Sequence, residues 1–307
     1  MKRSKKSKKS LKKQKIFFKP FLAISLLILT VLLGGIIYYQ SRAIPDPDER
    51  YQVTVFPNDF REVLGDSSLP QNPKEISVHV PILLYHYVEH VKDRKDTIRQ
   101  SLNIYPETLI SQIETLKNAG YVFVTPSDLA KVLDGKAENF PKKTVILSFD
   151  DGYMDFYTDV FPILKQENVR AVAYIVPNFL NRPNFMFSYQ LKEIAKSPLI
   201  EIGAHTMDHL ALKGMSKEKA RYEITESRKY LQKELNLPVN SFAYPYGSFD
   251  KQAIDLVREA GFIDAVSTIP DINNTNETRF YMYRLRAGAR TGQELLNFLN
   301  QKVFKPW

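Results

Sequence analysis

The sequence predicts an α/β fold: a (β/α) barrel of seven or eight strands with some irregularity, preceded by one transmembrane helix. Two patterns support this. From Val80 to the C-terminus, short apolar runs alternate with amphipathic segments, which is typical of a parallel sheet with helices outside it. Residues 21–39 form an uncharged run long enough to cross a bilayer as a helix. The region 80–307, about 225 residues, is sufficient for such a barrel.

Charge and composition exclude several classes of protein. The chain of 307 residues carries 43 Lys or Arg and 34 Asp or Glu. Ten of the basic residues and none of the acids lie in the first twenty positions, so the remainder is near neutral. A nucleic-acid partner is therefore not expected. The chain has no cysteine, which excludes disulfides, thiolate metal sites and cysteine nucleophiles.

The N-terminal region is interpreted as a membrane anchor. Residues 1–20 form a basic cytoplasmic tail and residues 21–39 the transmembrane helix, because a basic flank marks the cytoplasmic side. The region from Val80 onwards would then lie outside the cell membrane. The alternative is secretion after signal cleavage, for which Ser41–Ala43 offers a weak site. Residues 40–79, rich in Pro, Asp, Asn and Ser, are predicted to be an extracytoplasmic stalk.

The predicted elements of the catalytic region follow in chain order. A helix has its apolar face at Leu109, Ile113 and Leu116, and Gly120 is a natural stop. Thr291 and Glu294 would form a capping box for the last helix. The predicted strands are Pro81–Tyr85, Tyr121–Val124, Thr144–Phe149, Ala171–Val176 and Ile200–Ala204. The other predicted helices are Asp155–Gln166, Ser188–Lys196, Lys217–Leu235 and Lys251–Ala260.

Three predicted strands end in residues that can carry chemistry. Ser148–Gly152 reads Ser-Phe-Asp-Asp-Gly, His205–His209 reads His-Thr-Met-Asp-His, and Phe242–Gly247 reads Phe-Ala-Tyr-Pro-Tyr-Gly. Catalytic groups of such barrels lie at the C-terminal ends of the strands, so one cleft would gather all three. Taken singly, adjacent acids before Gly are common in turns, and a His pair can simply be exposed.

The combination favours a catalytic metal site. Two His and one carboxylate are a typical set of ligands that leaves positions open for water and substrate. Consecutive residues at a strand end point in different directions. Asp150 and Asp151 can therefore divide the work, one binding metal and the other acting as a base.

These motifs resemble those of polysaccharide deacetylases of the NodB-homology type, carbohydrate esterase family 4. The resemblance covers about Val80 to the C-terminus. It implies that Asp150 is the general base and that a divalent metal binds at Asp151, His205 and His209. Zinc is the expected metal, with cobalt or nickel as alternatives. The backbone N–H of Tyr246 is implied to help hold the oxyanion.

The chain departs from the family pattern at two places. Ala243 stands where the third motif usually has Arg, and no His follows His209. His86, at the end of the first strand, is similar to the acid His of the poly-N-acetylglucosamine deacetylase branch, in which the motifs are permuted, and is assigned as the general acid. A structural role is the alternative. Arg284 and Arg286 are candidates to replace the missing Arg, although both could lie on a solvated strand.

The expected function is metal-dependent removal of N-acetyl groups from N-acetylglucosamine units of a cell-surface polysaccharide. Poly-β-1,6-N-acetylglucosamine is favoured as the substrate and peptidoglycan comes next. The alternatives are an O-acetyl esterase acting on xylan or another glycan, and an inactive glycan-binding protein. A glycosidase is disfavoured because adjacent acids on one strand do not give the carboxylate separation needed across a sugar ring. The remaining histidines, His79 and His90, are read as surface or structural residues.

Overall fold

A computed structural model describes residues 76–93, 95–136, 140–301 and 303–305 of the chain. The basic tail, the predicted membrane anchor at 21–39 and nearly all of the predicted stalk lie outside these residues. Within the described ranges, no helix has both the length and the apolar character needed to cross a membrane.

The centre of the fold is a curled parallel sheet of seven strands, which confirms the predicted α/β class. The strands are β2 (Ile82–Tyr85), β5 (Val122–Phe123), β6 (Thr144–Phe149), β7 (Ala171–Ile175), β8 (Ile200–Ala204), β9 (Ser241–Ala243) and β10 (Asp264–Val266). Their order in the sheet is β10-β9-β8-β7-β6-β2, and β5 also pairs with β6. Every residue of β6 is buried, as expected for a parallel strand covered on both faces.

One segment outside the regular strands bridges the two edges of this sheet. On one side, the N–H of Met282 donates to the carbonyl of Ala265 at 2.8 Å. On the other side, Leu285 donates to Ile82 at 2.8 Å and accepts from Leu84 at 2.8 Å. Residues 282–285, the closing segment, therefore join β10 to β2. Arg284, at its centre, is completely buried.

Eight α-helices occur in the described residues and largely match the prediction. They are α1 (Thr97–Leu102), α2 (Pro106–Asn118), α3 (Pro126–Leu133), α4 (Phe161–Glu167), α5 (Ser188–Ala195), α6 (Lys217–Leu235), α7 (Lys251–Glu259) and α8 (Gly292–Leu299).

Two helices differ in detail from expectation. The predicted helix Asp155–Gln166 begins as a π-helix over Phe156–Val160, and α4 follows it. Pro162 lacks the N–H that a continuous α-helix would need there, which favours the wider turn. Thr291 is the N-cap of α8, but its side chain makes no cap hydrogen bond, so the predicted capping box is not formed. Glu294 instead lies 3.6 Å from the Arg290 side chain.

Two small sheets flank the main one. β1 (Ser77–His79) pairs antiparallel with β11 (Asn273–Thr275). β3 (Tyr87–Val88) pairs in parallel with β4 (Asn103–Ile104). Because β3 begins two residues after β2 ends, this second pair fixes the loop that carries His86.

Candidate active site

The two adjacent acids follow β6 directly and are both buried. The N–H of Asp150 donates to the carbonyl of Tyr85 at 3.0 Å, so Asp150 extends the pairing between β6 and β2. Asp151 then adopts a left-handed backbone conformation with φ of 74°, and Gly152 follows with φ of 78°. This turn sends the two carboxylates in different directions, as the sequence predicted.

Asp150 is held by an arginine from the closing segment. Arg284 Nη1 donates to Asp150 Oδ1 at 2.7 Å, and Nη2 donates to Oδ2 at 2.8 Å. The guanidinium also donates through Nε to the carbonyl of Ser267 at 2.7 Å, and its centre lies 5.7 Å from the Tyr174 ring centroid. Arg286, the other candidate, donates to the carbonyl of Ser101 instead. Of the two candidates, Arg284 is therefore the one that pairs with Asp150.

This pair determines the charge of Asp150. Burial alone would raise the pKa of the carboxyl, but the Arg284 guanidinium, with help from His205, holds that pKa below its ordinary value. Asp150 is therefore ionised at neutral pH, as a general base must be. A carboxylate has about four lone-pair directions, so the two bonds to Arg284 leave others for a proton.

Asp151, His205 and His209 converge as the sequence predicted. Their potential ligand atoms all lie within 4.8 Å of one another. Asp151 Oδ1 is 3.4 Å from Nε2 of His205 and 3.2 Å from Nε2 of His209. His205 Nδ1 lies 2.7 Å from the carbonyl of Ala243. A proton on Nδ1 would satisfy that carbonyl and leave the Nε2 lone pair for a metal.

The donor set fits a divalent cation. Among the described residues, the buried Oδ1 of Asp151 has no hydrogen-bond partner, although it faces two histidines. Buried polar atoms are rarely left unpartnered, and a bound cation would satisfy this one. One carboxylate and two imidazoles suit zinc, cobalt or nickel.

The loop that carries the two histidines is shaped by an acid that the sequence did not single out. Glu223, buried in α6, accepts through Oε2 from the N–H groups of Met207 at 3.0 Å and Asp208 at 2.9 Å. These bonds secure a loop in which Thr206 and His209 both have positive φ, 58° and 57°. A lone acid in a helix rich in charged residues gives no signal of this role, because most such acids are solvated.

His86 follows the last residue of β2, Tyr85, just as Asp150 follows the last residue of β6, Phe149. Because Tyr85 and Phe149 are paired in the sheet, His86 lies at the same end of the sheet as the two acids. Burial lowers the pKa of His86, and the charges of Asp151 and Asp150 oppose that effect. The position suits the general acid predicted from the sequence. His79 and His90 are exposed: His79 contacts Asn273 and His90 contacts Glu107.

Tyr246 lies in a short 3₁₀ turn, Pro245–Gly247, after β9. Its ring centroid is 4.5 Å from that of His209, and its backbone φ is 59°. Gly247 has a φ of 63°, and a Cβ there would lie 1.9 Å from Thr268 Oγ1, so only glycine fits. The third motif is therefore next to the candidate metal ligands. The oxyanion role of the Tyr246 N–H stays a prediction.

A family comparison decides the identity of this arrangement. Residues 137–264 match the family model described as polysaccharide deacetylase. These residues form a polysaccharide deacetylase domain. The matched segment contains both acids, both histidines and Tyr246, whereas His86 and Arg284 lie on either side of it. The resemblance to this family inferred from the motifs is thus confirmed.

Three proteins named as deacetylases are similar to part of this chain. YxkH of Bacillus subtilis, which carries the same family name, is 25% identical over 207 residues, 67% of this chain and 71% of that protein. The poly-β-1,6-N-acetyl-D-glucosamine N-deacetylase of Staphylococcus aureus is 28% identical over 188 residues, 57% of this chain and 64% of that enzyme. The structure of the Streptococcus pyogenes deacetylase PplD with acetate has a TM-score of 0.67 and 26% identity, covering 74% of this chain and all of PplD.

We expect Arg284→Met to destabilise the deacetylase strongly, because it leaves Asp150 buried and unpaired. Removing one partner of a buried ion pair costs about 3–5 kcal/mol of unfolding free energy. The lowered pKa of Asp150 stabilises the folded state above the unfolded pKa of about 3.9 and ceases to do so as pH falls through the folded value. The difference from wild type should therefore shrink below about pH 4. Urea unfolding of both proteins at neutral and acid pH measures this difference in the free energy of unfolding.

The control for that variant is Arg221→Met, which breaks the exposed pair with Glu259. It should cost no more than about 1 kcal/mol. Equal losses in the two variants would contradict the role given to Arg284.

We expect Asp151→Asn and His209→Ala each to lower zinc affinity by more than about 100-fold, since even outer partners of metal ligands contribute about 10–100-fold. Competition with a fluorescent chelator measures the affinity. His90→Ala, which removes an exposed histidine, should bind zinc like wild type. Unchanged affinity in Asp151→Asn would show that the metal lies elsewhere.

Proposed function

We propose that this deacetylase removes N-acetyl groups from N-acetylglucosamine units of a cell-surface polysaccharide in a metal-dependent hydrolysis. The observation that carries the proposal is the pairing of two neighbouring acids with different partners. Asp150 is paired with Arg284, and Asp151 faces His205 and His209. Such a site combines an ionised base with a cation site in one buried cleft.

The residues divide the reaction as follows. A divalent cation held by Asp151, His205 and His209 would polarise the acetyl carbonyl and make water more acidic. Asp150 accepts the proton of the attacking water. The N–H of Tyr246 donates to the oxygen that gains negative charge as the carbonyl is attacked. His86 donates a proton to the leaving nitrogen, which releases acetate and a free amino sugar.

Poly-β-1,6-N-acetylglucosamine is the favoured polymer, and peptidoglycan is the next candidate. The first is supported by the Staphylococcus aureus relatives that act on it. Half-buried aromatic rings beside the metal ligands suit a sugar, since such rings offer apolar faces for packing. Phe179 lies 5.8 Å from His209 and 4.7 Å from Phe185, measured between ring centroids.

We also propose that residues 21–39 tether the enzyme to the cell membrane with the catalytic domain outside. The support is the length of the uncharged run and its basic flank. Retention of the full chain in membranes after an alkaline carbonate wash would support the tether. Complete release would favour a cleaved signal.

Acetate release by the zinc-loaded protein tests the reaction. We expect release from β-1,6-linked N-acetylglucosamine oligomers, less from peptidoglycan fragments, and little from O-acetylated xylan. Asp150→Asn should lower the rate by about 10²–10⁴-fold because the general base is lost. Asp159→Asn, the same change at a site whose carboxylate accepts from the Thr158 hydroxyl, should not.

The substrate outcomes separate the alternatives. Release from xylan alone would replace the amidase with an O-acetyl esterase. No release from any of the three, with zinc bound, would indicate a protein that only binds glycan.

A further inference from the structure

His86 and the two acids follow neighbouring strands. The N–H of Asp150 donates to the carbonyl of Tyr85, which joins the acids to the residue before His86. On the other side of His86, β3 pairs with β4 and not with β6, so another contact must hold that side against the acids. His86 is carried by the short loop between β2 and β3, whereas Asp150 and Asp151 follow β6. Proton donation to the leaving nitrogen requires these two segments to keep a fixed spacing. Misplacement of a catalytic group by 1 Å can cost about 100-fold in rate.

One buried carboxyl joins the segment after the acids to the residues after His86. Asp155, four residues after Asp151, is 6% exposed. Its Oδ2 accepts from the backbone N–H of Val88 at 2.5 Å, and Val88 is two residues after His86. Val88 is completely buried, so water cannot reach its N–H. Without the bond to Asp155, this N–H would be buried without a hydrogen-bond partner, which is costly.

An aromatic contact joins the same two segments as that hydrogen bond. The ring centroids of Tyr87 and Tyr153 lie 4.0 Å apart. Tyr87 is next to Val88 in the chain, and Tyr153 is two residues before Asp155. Arg99 covers Tyr87 at 4.4 Å and forms an ion pair with Glu89 on the same loop. The segment after the acids therefore holds the His86 loop through one hydrogen bond and one aromatic stack.

We propose that Asp155 is a positioning residue that sets His86 against Asp150 and Asp151 by fixing the N–H of Val88. This rests on the proposed function, in which His86 is the general acid. Burial raises the pKa of Asp155 to about 7. Either protonation state leaves an oxygen that can accept from Val88, so the positioning does not require charge.

The substitutions separate the hydrogen bond from the charge. Asp155→Ala and Asp155→Ser remove an acceptor long enough to reach Val88, and the serine variant keeps a small polar group if alanine fails to fold. Asp155→Asn keeps an acceptor oxygen and loses the charge. Asp159→Ala removes an acid from the same segment whose side chain accepts from Thr158, and serves as the control.

Two substrates report on the general acid. Hydrolysis of N-acetylglucosamine oligomers needs a protonated leaving nitrogen, whereas 4-nitrophenyl acetate has a leaving group that departs without a proton. We expect Asp155→Ala, or Asp155→Ser in its place, to lower kcat on the oligomer by about 30–100-fold while changing ester hydrolysis and zinc affinity less than about threefold. Asp155→Asn should stay within about threefold of wild type on both substrates.

The decisive readout is the effect of the same change in a His86→Ala background. If Asp155 acts through His86, its loss there should change the oligomer rate less than about threefold, because residues that act as a unit are not additive. A full 30–100-fold loss in that background would overturn the proposal, as would equal losses on oligomer and ester. Rates for Asp155→Ala or Asp155→Ser that match the Asp159→Ala control would also overturn it.

The outcomes also distinguish this proposal from the function on which it rests. A wild-type protein that binds zinc and hydrolyses the ester but not the oligomer would overturn both. An active wild type with no effect of Asp155 would overturn the positioning role alone.

Discussion

The bidentate ion pair between Arg284 and Asp150 links the closure of the sheet to the chemistry of the site. Arg284 comes from the segment that bridges β10 and β2, and Asp150 comes from the end of β6. Two buried charges with two matched hydrogen bonds tolerate little displacement, since either charge left alone would be costly. The same ion pair therefore fixes the position of the closing segment and keeps Asp150 ionised.

The same constraint explains why two adjacent acids behave differently. The left-handed turn at Asp151 sends the second carboxylate away from Arg284 and towards His205 and His209. Burial would raise the pKa of both, but a cationic partner lowers the first and the histidines lower the second well below its ordinary range. Asp150 is thus kept ionised beside Arg284, whereas Asp151 faces the two histidines and is suited to a cation.

Much of this site could be predicted from sequence because it lies at the ends of regular strands. The motifs at β6, β8 and β9 had to meet at one edge of a parallel sheet, so the metal trio and Asp150 were predictable as a set. Arg284 was not, because two arginines alternate in Tyr-Arg-Leu-Arg and only the register of an irregular segment selects one. Asp155 and Glu223 gave no signal at all, since both bind backbone N–H groups of distant loops. The π-helix before α4 was missed for a local reason, the absent N–H of Pro162.

The most direct test of the account is the ionisation of Asp150 itself. The carboxyl carbon of Asp150 can be followed by NMR in protein labelled with ¹³C-aspartate, and its resonance assigned by its loss in Asp150→Asn. We predict that the carboxyl stays ionised as pH is lowered past the usual aspartate pKa of about 3.9, and that Arg284→Met raises the pKa of this carboxyl above that value. A wild-type resonance that titrates above the ordinary value, or one that Arg284→Met leaves unchanged, would contradict the central role of the pair.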